Sequence, residues 1–230
     1  MLDPARLRDS MIVFDLDGTL VDTAPDLHRA LNHVLADQGV PLADLEEVRR
    51  HVGQGSWKLI ERTYEQHGIE ADAALLSALT EKFVDVYASD IARFSQVFPG
   101  VEATLDALSD AGAAFCVCTN KRTGLSDLLL EAVGLRSRFK AVVGADSVPN
   151  RKPHGDHYRA ALAASGGKLE KSLMVGDSAA DVGAARAAGA PVALVSFGYT
   201  QTAPEHLGAD AVFSHYSELP EICVRLLAAS

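Results

Sequence analysis

With 230 residues, 48% of them hydrophobic, the chain can bury the core of one large domain, or of a core domain carrying an insert, without disulfide staples. A formal net charge of -10 argues against nucleic acid and anionic membrane surfaces as partners, because both are bound through basic patches. Three cysteines, no secretory signal read at the start and no apolar run long enough to cross a bilayer give the expectation of a soluble, cytoplasmic protein in a reducing compartment. A small anionic substrate stays open, since charge is screened over about 8 Å at physiological salt and local cations such as Lys121, Arg122, Arg151 and Lys152 can govern a pocket.

The apolar run Met11, Ile12, Val13, Phe14 stops at Asp15-Leu16-Asp17-Gly18-Thr19 and reads as a buried strand feeding a loop. Residues two apart on an extended segment share a face, so Asp15 and Asp17 are expected together, with Leu16 turned to the core. At about 4 Å and an effective dielectric near 20, two such charges repel by roughly 4 kcal/mol, which calls for a cation or a shared proton. Thr23 then opens a helix, with Pro25 and Asp26 in its first turn and Leu27, Ala30, Leu31, Val34 and Leu35 at helical spacing. Gly39 and Pro41 end it. Further helices are expected near 44–51, 56–67 and 72–92, so residues 23–94 read as an all-helical insert.

From Pro99 strands alternate with helices. Helices are expected at 100–111, 124–133, 156–165 and 179–188, and strands at 114–118, 140–143, 172–175 and 191–195. This alternation predicts an α/β fold, a Rossmann-like parallel sheet with helices on both faces. The expected division is a discontinuous core, residues 1–22 and 95–230, and a helical cap, 23–94, whose connecting loops act as hinges.

Ligands of open parallel sheets lie beyond the carboxyl ends of the strands, and polar motifs stand at those ends here. Thr119-Asn120-Lys121 follows one strand, Arg151-Lys152-Pro153 the loop after the next, and Gly176-Asp177-Ser178-Ala179-Ala180-Asp181 a third. Singly, Thr119 reads as a helix cap, Lys152 as a solvated charge and Asp177 as a helix start. Jointly, with Asp15-Leu16-Asp17-Gly18-Thr19-Leu20-Val21-Asp22-Thr23, they resemble the four motifs of the haloacid dehalogenase superfamily, specifically its magnesium-dependent phosphatases.

The resemblance implies an aspartyl nucleophile, Asp15, and a general acid and base, Asp17. It implies Mg2+ held by the side chains of Asp15 and Asp177 and the backbone carbonyl of Asp17, with Asp181 orienting bound water or the lysine. Thr119, the backbone N–H of Asn120, and Lys152 are the expected phosphoryl contacts. The closest likeness is to phosphoglycolate phosphatases with a helical cap, through Phe14–Asp26, Val52–Gly55, Phe98-Pro99-Gly100 and Lys152-Pro153-His154; Gly155 departs from a proline common in that group. The implied partner is a small phosphorylated metabolite. The cap loop Gly53-Gln54-Gly55, followed by Ser56, is a candidate substrate contact or merely a turn. Trp57 is expected to pack on its helix and His154 to be a loop residue.

Asp17 argues against haloacid dehalogenases, which lack the second acid, and against phosphonatases, which carry a small residue there. A β-phosphoglucomutase-like mutase and a phosphatase for another metabolite remain open. A non-catalytic phosphate-binding module gains nothing from mutually repelling acids.

Overall fold

The structure, a computed structural model, describes residues 7–228; residues 1–6 and 229–230, at the ends of the expected core segments, lie outside the described residues. In chain order the elements are β1 (Met11–Phe14), β2 (Val21–Asp22), α1 (Ala24–Asp37), α2 (Leu45–His51), α3 (Ser56–Gln66), α4 (Ala73–Ala88), β3 (Gln96–Val97) and α5 (Val101–Asp110). They continue as β4 (Ala114–Cys118), α6 (Thr123–Ala132), β5 (Val142–Val143), α7 (Gly155–Ser165), β6 (Ser172–Gly176), α8 (Ala179–Ala188), β7 (Val192–Val195), β8 (Ala211–Phe213) and α9 (Leu219–Leu227).

Six strands form one parallel sheet in the order β5-β4-β1-β6-β7-β8. β1 is its centre, and the two-residue period of an extended chain divides its side chains between two apolar layers. Ile12 and Phe14 join one layer with Phe115, Val117, Leu173 and Val175; Met11 and Val13 join the other with Cys116, Cys118 and Met174. Strands buried on both faces need no polar alternation, which is why they read as continuous apolar runs. α7 and α8 cover one face, through Tyr158, Ala161, Leu162, Val182 and Ala185. The other carries α5, α6 and α9, and its apolar layer runs on without a break into α1–α4 through Leu16, Leu20, Val21 and Leu27. The three cysteines are free and buried.

The order reverses at β1, whose neighbours β4 and β6 lead to opposite halves of the sheet. The crevice beyond the carboxyl ends of these three strands is therefore where a ligand belongs. The α/β expectation holds. Its omissions are β8, α9 and the antiparallel pair β2–β3, which joins the two connections between sheet and helices at Val21↔Val97 and Asp22↔Gln96. Some bounds also moved: α4 ends at Ala88 rather than near 92, and β5 keeps only Val142–Val143 of the expected 140–143.

Gly155 has a packing reason. It opens α7 against the end of α8, and a Cβ there would lie 2.8 Å from the carbonyl carbon of Ala187 and 2.9 Å from the nitrogen of Ala188. A proline ring at this position would force the two helices apart.

Candidate active site

Asp15 follows β1 directly, and Lys152 from the loop before α7, Asp177 from the end of β6 and Asp181 from the first turn of α8 converge on it. The Lys152 ammonium lies 2.9 Å from Asp15 Oδ1 and 2.7 Å from Asp181 Oδ1. Asp15 Oδ1 also accepts from the N–H of Leu16 at 2.7 Å, and among the described residues no donor reaches Oδ2. Carboxylate oxygens of Asp15, Asp177 and Asp181 lie within 4.8 Å of one another, and all three residues are buried.

Asp181 is saturated. Its Oδ2 accepts from the N–H of Asp177 (3.2 Å), the N–H of Ser178 (3.0 Å) and the Ser178 hydroxyl (2.7 Å), a capping arrangement at the start of α8. Asp177 accepts from the N–H of Tyr199 at 2.7 Å and from the Thr19 hydroxyl at 3.4 Å. Burial, opposed by Lys152 and reinforced by Asp181 and Asp17, pushes Asp15 up to about 6; burial and then the charges of Asp181 and Asp15 hold Asp177 well above the usual carboxylate range. Burial works against the charge of Lys152 as well, but Asp15 and Asp181 outweigh it and keep it protonated. One ammonium among three buried acids leaves negative charge uncompensated, and an all-oxygen donor set of this kind fits a hard divalent cation.

Asp15 and Asp17, expected on one face, both border one cavity. The N–H of Asp15 still donates to the Val175 carbonyl of β6 (2.9 Å), and the chain turns beyond it: the N–H groups of Leu20 and Val21 bond the Leu16 carbonyl, and Gly18 takes a positive φ of 76°. Asp17 has further partners of its own, the Thr23 hydroxyl at 2.7 Å and Lys121 Nζ at 2.8 and 3.1 Å. Gly18 is needed for a second reason, since a Cβ there would lie 2.6 Å from Asp177 Oδ2 and 2.8 Å from the Tyr199 ring.

Thr119, at the end of β4, is buried and accepts from the N–H of Lys121 at 3.2 Å instead of capping a helix. The Asn120 side-chain amide donates to the Gly53 carbonyl (3.0 Å) and the Lys152 carbonyl (3.2 Å), while its Oδ1 is buried without a partner. The cavity, about 480 Å³, is bordered by Asp15, Asp17, Thr119 and Asn120 from the sheet and by Gly53, Gly55 and Trp57 from the helices. Gln54 borders a smaller neighbouring cavity with Asp177 and Tyr199. Trp57 thus stands on the cavity wall, 37% exposed, and is not packed into the helical layer as expected. His154 lies exposed on the loop and its Nδ1 accepts from the N–H of Asp156, capping α7.

Two residues escaped the sequence reading as site residues. Lys121, one of several candidate cations there, is buried against Asp17, with its ammonium 4.6 Å from the centre of the Tyr87 ring. Tyr199 was not singled out; its hydroxyl accepts from the N–H groups of Thr23 (2.8 Å) and Ala24 (3.1 Å) and donates to Asp22 at 2.5 Å, so it caps α1 from across the sheet while its own N–H holds Asp177. The only local signal is an aromatic residue after Gly198, which itself leaves room for Asp177.

The chain is similar to known proteins along most of its length. Residues 12–195 match the family model described as haloacid dehalogenase-like hydrolase. A phosphoglycolate phosphatase of Caulobacter vibrioides is 48% identical over 223 residues, covering 97% of this chain and 94% of the relative. One from Mesorhizobium japonicum is 40% identical, covering 96% and 97%. The crystal structure of a predicted phosphoglycolate phosphatase from Haemophilus somnus 129PT superposes with a TM-score of 0.86 at 30% identity, covering 93% of this chain and 97% of that one. The chain belongs to the haloacid dehalogenase-like hydrolase family.

Proposed function

We propose that the protein is a Mg2+-dependent phosphatase that hydrolyses a small phosphate monoester, 2-phosphoglycolate, through an aspartyl-phosphate intermediate. The observation that carries this reading is the buried cluster of Asp15, Asp177 and Asp181 around Lys152 at the carboxyl ends of β1 and β6. The names of relatives covering nearly the whole chain support the substrate.

Asp15 Oδ2, the oxygen without a protein donor, attacks phosphorus; the P–O bond to the alcohol breaks and the leaving oxygen takes a proton from Asp17. Asp17 then accepts a proton from the water that cleaves the aspartyl phosphate and releases inorganic phosphate. Lys152 sits where it neutralises both the nucleophile and the incoming dianion, and Thr119 with the N–H of Asn120 holds phosphoryl oxygens. Asp181 keeps Lys152 and the start of α8 in place. A divalent cation held by Asp15, Asp177 and the Asp17 carbonyl supplies charge neutralisation of the phosphoryl oxygens when bound.

Residues 23–94 act as a cap over the core formed by residues 1–22 and 95–230, with Gly53 and Gly55 of the Gly53-Gln54-Gly55 loop bordering the cavity and Gln54 its smaller neighbour. Three free, buried cysteines support a reducing, cytoplasmic setting.

A phosphate-release screen over small esters, with and without magnesium, tests the reading. Release from 2-phosphoglycolate that needs magnesium is expected. Interconversion of sugar phosphates without net release would favour the mutase alternative instead.

A further inference from the structure

We infer that Arg151 holds a second anionic group of the substrate, making the cavity selective for phosphate monoesters whose alcohol carries a carboxylate. The inference rests on the phosphatase reading and adds the residue that selects among esters.

Lys121, Arg122 and Arg151 border the cavity. Lys121 is committed to Asp17, and Arg122 reaches Glu81 on α4 with Nη2 at 2.6 Å and Nη1 at 3.2 Å. Among the described residues Arg151 has no carboxylate within ion-pair distance. The acids bordering the cavity are all engaged elsewhere: Asp15 by Lys152, Asp17 by Lys121 and Thr23, Glu81 by Arg122, and Asp146 by the N–H and hydroxyl of Thr123. His51, also on the wall, is pushed below its usual range by burial and then by Arg50, so it offers no competing charge at neutral pH.

The position of the guanidinium adds a second argument. A Cβ built on Gly55 would lie 2.8 Å from Arg151 Nη1, so the guanidinium rests against the residue that caps α3. That helix starts with no capping side chain and no acid in its first turn. A helix start carries roughly half a positive charge, so a guanidinium beside it is repelled unless an anion lies between. None of the protein's cavity acids takes that place. A carboxylate does so with matched geometry, because its two oxygens accept in parallel from the planar fork. Arg151 precedes Lys152, the cation on Asp15, so one dipeptide supplies positive charge to both ends of such a substrate.

The test compares kcat/KM for 2-phosphoglycolate and for ethyl phosphate, which lacks the carboxylate, in the wild type, Arg151→Gln and Arg151→Lys, at saturating magnesium. The wild type should favour 2-phosphoglycolate. Arg151→Gln should reduce that preference by about 10- to 100-fold, chiefly through KM, as expected for loss of one charge-assisted pair. Arg151→Lys should retain part of it, keeping charge without the fork. Arg151 is exposed, so an unchanged unfolding midpoint shows that the fold is intact. An unaltered preference in Arg151→Gln, or a wild type that turns over both esters equally, overturns the assignment while leaving the phosphatase reading in place. A wild type that turns over neither overturns both.

Discussion

On the sheet side of the cavity, Asp181 accepts four hydrogen bonds, Lys152 bridges two acids, and Asp177 is fixed by the backbone of a third loop. On the helical side several links are more exposed, among them the Arg50 carbonyl to Gln201 and Glu81 to Arg122. The contrast is what the proposed function requires of each side. Groups that react must be held to about half an ångström, and only buried, multiply bonded side chains achieve that. Groups that recognise the remainder of a substrate have to part to admit it, and contacts that solvent readily replaces allow this.

The contrast can be broken most severely at Asp15. Asp15→Asn should lower turnover by roughly 10,000-fold or more, as removal of a nucleophile does. Unfolding should be unimpaired, because the amide removes repulsion among three buried acids and Asp181 still pairs with Lys152. Phosphate-release kinetics and a urea titration on the same preparation test both halves, and turnover near wild type would end the mechanism.

A smaller effect should show the rigidity of the sheet side through pH. His157 accepts from the N–H of Lys152 at Nδ1 (3.1 Å), so its proton sits on Nε2 and donates to the Val143 carbonyl (3.0 Å). Burial and then the charge of Lys152 lower its pKa from 6.5 to about 4. A depressed histidine pKa means that the unfolded chain binds the extra proton more readily. Its contribution is therefore complete above pH 6.5 and is lost as pH falls towards 4, amounting to about 2–3 kcal/mol. The raised pKa of Asp15 acts in the opposite sense over part of that range, so the measurement is the difference between wild type and His157→Gln in urea titrations from pH 7 to 4. A difference that stays constant with pH would refute the assignment.

The smallest effect belongs to the helical side. Glu81→Gln removes an exposed ion pair between α4 and the start of α6, and the unfolding midpoint should not move measurably. A clear fall would mean that the two sides are joined more firmly than their contacts indicate.

Much of the sheet side was legible from residue order alone. Strand ends are local features, and the polar residues that follow them, Asp15, Thr119, Asp177 and Asp181, stand out against the apolar runs. Partnerships across the fold were not legible. Tyr199 meets Thr23 and Asp177 only because β7 lies two places from β1 in the sheet, and Lys121 meets Asp17 only because β4 lies beside β1. The alternation rule put Asp15 and Asp17 together, and both border one cavity, but it gave no sign that Asp17 would be held by Thr23 and Lys121. β8 went unread because three residues carry too little periodicity to register, and β2 and β3 because two carry none.

The β2–β3 pair ties the two ends of the helical segment together. Val21 faces Val97 and Asp22 faces Gln96, and the buried Asp26 carboxylate takes three further donors from Phe94 and Ser95. The outgoing and returning chains therefore stand side by side, as in a hairpin, whatever lies between them. The ladder brings the segment's ends together regardless of its length, and each doubling of length adds only about 0.6 kcal/mol to the entropy of closing it.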